Sequence, residues 1–290
     1  MEPTVCSAAI SLLLLMASPF AIAGTPDGVS VKVFTSQEDQ FWTNSVIVEG
    51  AHEVLLVDAQ LSKTNAERVL LELKGTHKPL STIYITHEHA DHFLGLEVFR
   101  QAYPRVRIIA SSAVVARIHK VYQEKIDKWK ELLGSGAATH VVPVEAFDGD
   151  TIPFDGSRIQ VLKHIQGDTN ENTMLWVPGE RILIGGDVVF NNMHVYTAET
   201  DSQARRKWLA SLNAIRELKP LVVIPGHSNA GAPLDATTAV DFTQAYLLAF
   251  EEELSRAKDP ESLVRAMKER YPSAELLLAI ERGAAANVKP

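Results

Sequence analysis

His87-Glu88-His89-Ala90-Asp91-His92 stands directly after the apolar run Ile83-Tyr84-Ile85-Thr86. Such a run predicts a strand that ends in a polar loop. A loop this dense in imidazole and carboxylate, and too polar to be core, is costly to arrange without a metal ion. Imidazole nitrogen and carboxylate oxygen suit Zn²⁺, Fe or Mn²⁺. His87 and His89 can bind one ion from the same side, while Asp91 and His92 can turn toward a second.

Upstream of the hexapeptide, Val29–Phe34, Asn44–Val48 and Glu53–Asp58 predict strands, the last as a nearly continuous apolar run typical of a strand covered on both faces. Ser62 to Lys74 has apolar residues at Ala66, Val69, Leu70 and Leu73, a helical spacing with Ser62 as N-cap. Thr82–Thr86 is the strand before the loop at 87–92. A helix at Gly95–Ala102, a strand at Val106–Ala110 and a long helix at Ser112–Leu133 follow, closed by Gly134-Ser135-Gly136. The second half predicts strands at Val141–Val144, Thr151–Phe154, Arg158–Lys163, Thr173–Val177 and Arg181–Ile184, a helix at Asp201–Leu218 and a strand at Leu221–Pro225. From Asp235 the chain is helical, with breaks near Asp259-Pro260 and Tyr271-Pro272. Each half is strands followed by helices. That pattern suits a four-layer αβ/βα sandwich, two mixed sheets packed face to face with helices outside.

The chain has 290 residues, 46% of them hydrophobic, and a net charge of −8. It can bury a full core, and its acidity argues against a surface that neutralises phosphates, so nucleic acid is not an expected partner. Near the N-terminus the apolar run Ile10–Met16 leads to Ala21-Ile22-Ala23, a small-x-small cleavage pattern, although Glu2 is present and no basic residue precedes Lys32. Residues 1–23 are therefore expected to be a secretory leader, cleaved near Ala23, with a secreted or periplasmic product and no membrane span after cleavage. Cleavage would remove Cys6, the sole cysteine, and with it any disulfide, thiolate zinc site or cysteine nucleophile. Residues 24–290 are expected to form a single domain, with extra helices over about 235–290; the oligomeric state stays open. No Gly-x-Ser-x-Gly elbow or dinucleotide-binding Gly motif is present. His52, His77, His119 and His140 are expected on the surface or on helices. Arg205-Arg206-Lys207 is expected as a solvated helix face, and Tyr122, Trp129, Tyr246, Leu247, Leu248 and Phe250 as core.

His-x-His-x-Asp-His after a strand resembles the signature of the metallo-β-lactamase superfamily. Leu183-Ile184-Gly185-Gly186-Asp187 resembles its small-Gly-Asp motif, and Val223-Ile224-Pro225-Gly226-His227 its last strand-end motif. The resemblance covers about residues 30 to 230. It implies the metallo-β-lactamase fold and a dinuclear centre of two divalent ions, Zn²⁺ first, with Mn²⁺ or Fe as alternatives. His87, His89, Asp91, His92, Asp187 and His227 would be ligands, Asp187 bridging, while Asp58 supports the loop. In one place the chain departs from the pattern: the family's His in a Gly-His-Thr segment is replaced in Lys163-His164-Ile165-Gln166-Gly167-Asp168-Thr169. Anchoring on Gly167 and Thr169 puts Asp168 in that role, with His164 and Gln166 as competitors. His194 and Tyr196 are candidates to line the substrate pocket.

The implied activity is hydrolysis of a small-molecule ester, lactone, thioester or amide by a metal-bridging hydroxide, with Asp91 shuttling a proton and Asp187 joining the metals. Lactam hydrolysis is one alternative. A mononuclear iron enzyme like the persulfide dioxygenases, or a non-catalytic ligand-binding member, is another.

Overall fold

The computed structural model describes residues 20–22 and 28–289. The first sheet runs in chain order through β1 (Phe20–Ile22), β2 (Ser30–Thr35), β3 (Asn44–Glu49), β4 (Val54–Val57), β5 (Leu80–Tyr84), β6 (Arg107–Ala110) and β7 (Glu145–Ala146). Pairing is antiparallel from β1 to β4 and parallel from β4 to β7. Most of the expected leader lies outside the described residues; Phe20–Ile22 add to the sheet edge against Val31–Val33. The second sheet holds β8 (Thr151–Phe154), β9 (Ser157–Ile165), β10 (Asn172–Val177), β11 (Ile182–Asn191) and β12 (Val222–Ser228), in the order β12-β11-β10-β9-β8. Only β11 and β12 run parallel there. Both sheets are mixed.

The burial pattern explains the layers. Leu55 and Val57 of β4 face the second sheet and meet Leu175, Ile182 and Ile184, whereas Val54 and Leu56 face the helices. Because successive side chains point to opposite faces, a strand covered on both sides must be apolar at every position. The outer layer over the first sheet is α1 (Lys63–Gly75), α2 (Ala90–Phe93), α3 (Leu96–Ala102) and α4 (Ser112–Leu133). Val69, Leu73, Ile118 and Tyr122 are their buried contacts. Over the second sheet lie α5 (Ser202–Glu217), α6 (Thr238–Leu254), α7 (Pro260–Arg270) and α8 (Leu277–Asn287), anchored by Trp208, Leu212, Leu247, Phe250, Leu263 and Ile280. The result is two mixed sheets face to face with helices outside, as the strand and helix pattern predicts.

Local signals set the helix ends. Ser62 accepts a hydrogen bond from the Asn65 backbone N–H and Ser111 from that of Val114, each worth about 1 kcal/mol as an N-cap. Asp259 and Ser262 form a reciprocal capping box with Pro260 at the first helical position, so the break in the C-terminal region is the start of α7.

Several expectations are corrected. Val141–Val144 is not a strand: Pro143 removes a ladder donor, and Val142 and Val144 plug the first outer core from an extended connection. Part of the loop at 87–92 is the single turn α2, which carries Asp91 and His92. Strand Arg181–Ile184 continues to Asn191, with its register against β12 shifting on either side of Gly186. Arg205 is not solvated. It is 2% exposed, pairs with Glu251 of α6, donates to the Thr200 carbonyl and lies over the Phe250 ring.

Candidate metal centre

The centre sits at the strand ends shared by the two sheets, and Asp58 organises its base. Asp58 follows β4 with a positive φ of 61°. Its carboxylate accepts from the Thr86 N–H at 2.9 Å, the Thr86 hydroxyl at 2.8 Å and His92 Nδ1 at 2.8 Å. These bonds tie the loop after β5 to the end of β4. They also fix the orientation of His92, since Nδ1 donates to Asp58 and Nε2 is turned toward the centre. His227 is set in the same way, its Nδ1 donating to the Phe41 carbonyl at 2.7 Å. Phe41 adopts a left-handed φ of 71°, and that conformation aims its carbonyl at the imidazole.

Seven side chains converge in two groups. His87, His89, Asp168 and Asp187 form one, Asp91, His92 and His227 the other, and within each group the candidate ligand atoms lie within 4.8 Å of one another. Asp187 reaches both: its carboxylate is 3.6 Å from His87 Nε2, 3.3 Å from His92 Nε2 and 3.1 Å from His227 Nε2. Asp168 Oδ2 is 2.8 Å from His89 Nδ1 and 3.9 Å from His87 Nε2. Asp91 Oδ2 lies 3.6 Å from both His92 and His227 and accepts from the Thr43 hydroxyl at 2.8 Å.

The electrostatics are those of donors crowded together. Burial pushes His87 well below its ordinary value, and neighbouring His92 adds to the effect. Burial would lower His92 too, but Asp187, Asp58 and Asp91 outweigh it and hold that imidazole well above the usual range. Asp187 has the opposite balance: burial raises it, and the surrounding His227, His92 and His87 hold it well below an ordinary carboxylate. Burial raises Asp168 beyond what His89 can offset. Clustered shifts of this kind mark functional sites rather than packing.

The structure places the three candidates at the departure from the family pattern in different surroundings. Asp168 is fully buried in the first group, its Oδ1 accepting from Asn172 Nδ2 at 3.0 Å. His164 is a correction: its side chain is 72% exposed and pairs with Glu171, because its positive φ of 55° turns it off the edge of β9. Gln166 is a second correction, its amide folded back to donate to the Gly167 and Thr169 carbonyls. His194 is a third. It lies behind β11, buried, its ring against the Tyr246 hydroxyl at 2.9 Å, and burial pushes it down to about 4. Tyr196 does line the cavity, its ring edge-on to His89 with centroids 5.2 Å apart.

Other residues carry no signal in the sequence. Glu199 accepts from His89 Nε2 at 3.0 Å and so turns Nδ1 toward Asp168. Thr43 and the Phe41 carbonyl belong to a turn far from the hexapeptide in sequence. The cavity above the centre, about 670 Å³, is walled by α4 through Arg117, Lys125 and Trp129 and by α8 through Leu278 and Arg282. The extra C-terminal helices thus help to build the cavity, through α8.

Gly226 shows how tightly the centre is packed. A Cβ there would fall 1.9 Å from Asp187 Oδ1 and 2.8 Å from the Gly186 backbone. Gly226→Ala is therefore expected to displace Asp187, lowering metal content and cutting hydrolysis by about a hundredfold or more, a loss of the size that misplacement by about 1 Å produces. Metal analysis beside a thermal unfolding curve checks this; unchanged metal content would contradict the assigned role of Asp187.

The family description Metallo-beta-lactamase superfamily matches residues 40–227. The chain is 25% identical over 231 residues to a linear primary-alkylsulfatase of Pseudomonas sp., covering 67% of this chain and spanning only 42% of that relative's length. It is 24% identical over 218 residues to the metallo-beta-lactamase type 2 of Bacteroides fragilis, covering 74% of this chain and 78% of the relative. Among solved structures, a metallo-beta-lactamase family protein from Thermus thermophilus superposes with a TM-score of 0.63 at 22% identity, over 87% of this chain and 91% of that one. A metallo-beta-lactamase from Pontibacter korlensis gives 0.58 at 20% identity, over 80% and 99%. With the matched family region running from before β3 into β12 and covering every candidate ligand, the chain belongs to the metallo-β-lactamase superfamily and is a metallo-hydrolase of it.

Proposed function

We propose that the protein is a dinuclear metal-dependent hydrolase of a small ester, lactone, thioester or amide, acting outside the cytoplasm. The observation that supports this best is Asp187, one carboxylate within 3.6 Å of imidazole nitrogens from both groups. The residues fit a pair of cations. Among the described residues, His87 Nε2, His92 Nε2, Asp168 Oδ2 and Asp187 Oδ1 are buried with no well-formed hydrogen bond, their near contacts being with one another and with other candidate ligands such as His89, an arrangement that a cation among them would satisfy. His87, His89 and Asp168 would hold the first ion, Asp91, His92 and His227 the second, with Asp187 shared. This hard and borderline donor set, free of thiolate, suits Zn²⁺ first and also Mn²⁺ or Fe. When bound, such a pair lowers the pKa of a shared water toward neutrality and polarises the scissile bond.

The chain's own groups supply the rest. Asp91 borders the cavity, and the Thr43 hydroxyl fixes one of its oxygens. That placement lets the carboxylate hold a proton for the departing group. Glu199 and Tyr196 keep the His89 ring in one orientation. The leader-like N-terminus supports placement outside the cytoplasm, and among the described residues no helix is long and apolar enough to cross a membrane. Two relatives, an alkylsulfatase and a β-lactamase, make sulfate esters and lactams the alternative substrates.

The test is turnover of a chromogenic panel (ester, lactone, thioester, amide and cephalosporin) before and after chelation. At least one of the first four is expected to be hydrolysed, with chelation reducing the rate by about a hundredfold or more and Zn²⁺ or Mn²⁺ restoring it. Turnover that survives metal removal would overturn the reading, as would a fully loaded protein inert to the whole panel. Turnover of the cephalosporin alone would replace it with a lactamase.

A further inference from the structure

Two cations face the same cavity from opposite outer layers of the sandwich, Lys125 from α4 and Arg282 from α8. Both side chains are half-buried, and among the described residues neither has an ion pair or a side-chain hydrogen bond. Two other enclosed cations do have partners: Arg117, on the same cavity, is tied to Glu88 and Asn170, and Arg205 to Glu251. The carboxylates that act on Lys125 are Asp91, Glu199 and Glu88. Each is engaged elsewhere, Asp91 within the second group of candidate ligands, Glu199 with His89 and Glu88 with Arg117.

A half-enclosed ammonium and guanidinium without an ion pair of their own are free to pair with a group brought into the cavity. The cavity lining carries carboxylates as well as cations, and Lys125 and Arg282 are the half-buried cations on it that have no ion pair among the described residues. A cation held at the wall of a partly enclosed cavity attracts an anionic group of a ligand that enters it. Beside the cations the wall is apolar: the Phe41 and Trp129 rings meet edge-to-face at 5.3 Å, and Leu276 and Leu278 border the same space.

We propose that the cavity takes a substrate with an apolar body and an anionic group separate from its scissile bond, the anion being held by Lys125 and Arg282. This rests on the hydrolase reading above and names the class of its substrate. The anion is an oxyanion such as a carboxylate, which both side chains bind by charge-assisted hydrogen bonds.

The test uses the full-length metal-loaded protein and a matched pair of esters, 4-nitrophenyl butyrate and the carboxylate-bearing 4-nitrophenyl hemiglutarate, with 4-nitrophenyl sulfate as a third arm. Wild type is expected to prefer hemiglutarate over butyrate in kcat/KM. Lys125→Gln should reduce that preference about tenfold, mainly through KM, and Lys125→Arg should keep most of it. Lys130→Gln, an exposed position on the same helix outside the cavity, should leave the preference as it is. Calorimetric binding of 4-phenylbutyrate against 4-phenylbutanol gives a readout that needs no turnover, with the acid favoured and that advantage lost in Lys125→Gln. If neither ester is cleaved but the binding preference depends on Lys125, the hydrolase reading fails and the anion site stands. A preference unchanged in Lys125→Gln in both measurements overturns the proposal. So does a Lys125 dependence confined to 4-nitrophenyl sulfate, because the anion would then be the reacting group itself.

Discussion

Asp187→Ala is expected to abolish hydrolysis, with kcat/KM falling by at least about a thousandfold, because it removes the one side chain common to both groups of candidate ligands. The backbone at this position should survive. The Asp187 carbonyl accepts from the Asp168 N–H at 3.2 Å, and β11 is buried along its whole length. What is lost is the anion among His87, His92 and His227, and with it the compensation that allows three enclosed imidazoles to face one point. Metal content should fall from about two equivalents to one or fewer, since dinuclear centres depend on the shared ligand for spacing and charge. Asp187→Asn separates charge from shape: it preserves volume, removes the anion, and should lose activity as severely. Retention of both metals and of turnover in Asp187→Asn would show that Asp187 is a packing residue.

The second large effect belongs to Asp168, where the chain departs from the family's histidine. Asp168→Ala should empty the first group while sparing the second, leaving about one equivalent of metal, and reduce kcat/KM by about a hundredfold or more. Asp168→Asn is expected to do nearly the same, because Asn172 holds Oδ1 in place while Oδ2 alone faces His89 and His87. His164→Ala serves as the comparison: its imidazole is in solvent beside Glu171, so metal content and rate should match wild type. A loss of metal in His164→Ala with none in Asp168→Ala would reverse the assignment. A carboxylate in place of a neutral imidazole also makes the first group harder and more anionic, so Mn²⁺ or Fe should compete with Zn²⁺ better there than in a group completed by histidine.

The parts of the fold and centre that are legible in the sequence are those fixed by local chemistry or carried by a family motif. The hexapeptide after Ile83–Thr86 presents its imidazoles and carboxylate within six residues of the predicted strand end, which is enough to suggest a metal. Asp187, His227 and Asp58 are legible only because their segments resemble the family's motifs. The strand at Glu53–Asp58 and the helix at Ser112–Leu133 are legible because burial on both faces, or on one stripe, imprints a period on the sequence. Asp168 is one of three candidates in the sequence, since a loop can shift by two residues without violating any local rule, and only the approach of β11 and Asn172 decides the register. Glu199, Thr43, the Phe41 carbonyl and Lys125 are brought in by the packing of distant elements and leave no spacing to detect. Arg205 and His194 mislead for a related reason. A charge on a helix looks solvated until the neighbouring helix supplies Glu251, and a histidine just past the end of β11 looks like a pocket residue until Tyr246 claims it from behind.

The most direct test of a dinuclear centre built on Asp187 is anomalous X-ray diffraction from crystals of the Zn²⁺-loaded protein, recorded on both sides of the zinc edge. The account predicts two peaks, one among His87, His89 and Asp168 and one among Asp91, His92 and His227, with the Asp187 carboxylate reaching both. A single peak, or two peaks of which either lacks Asp187, would contradict it.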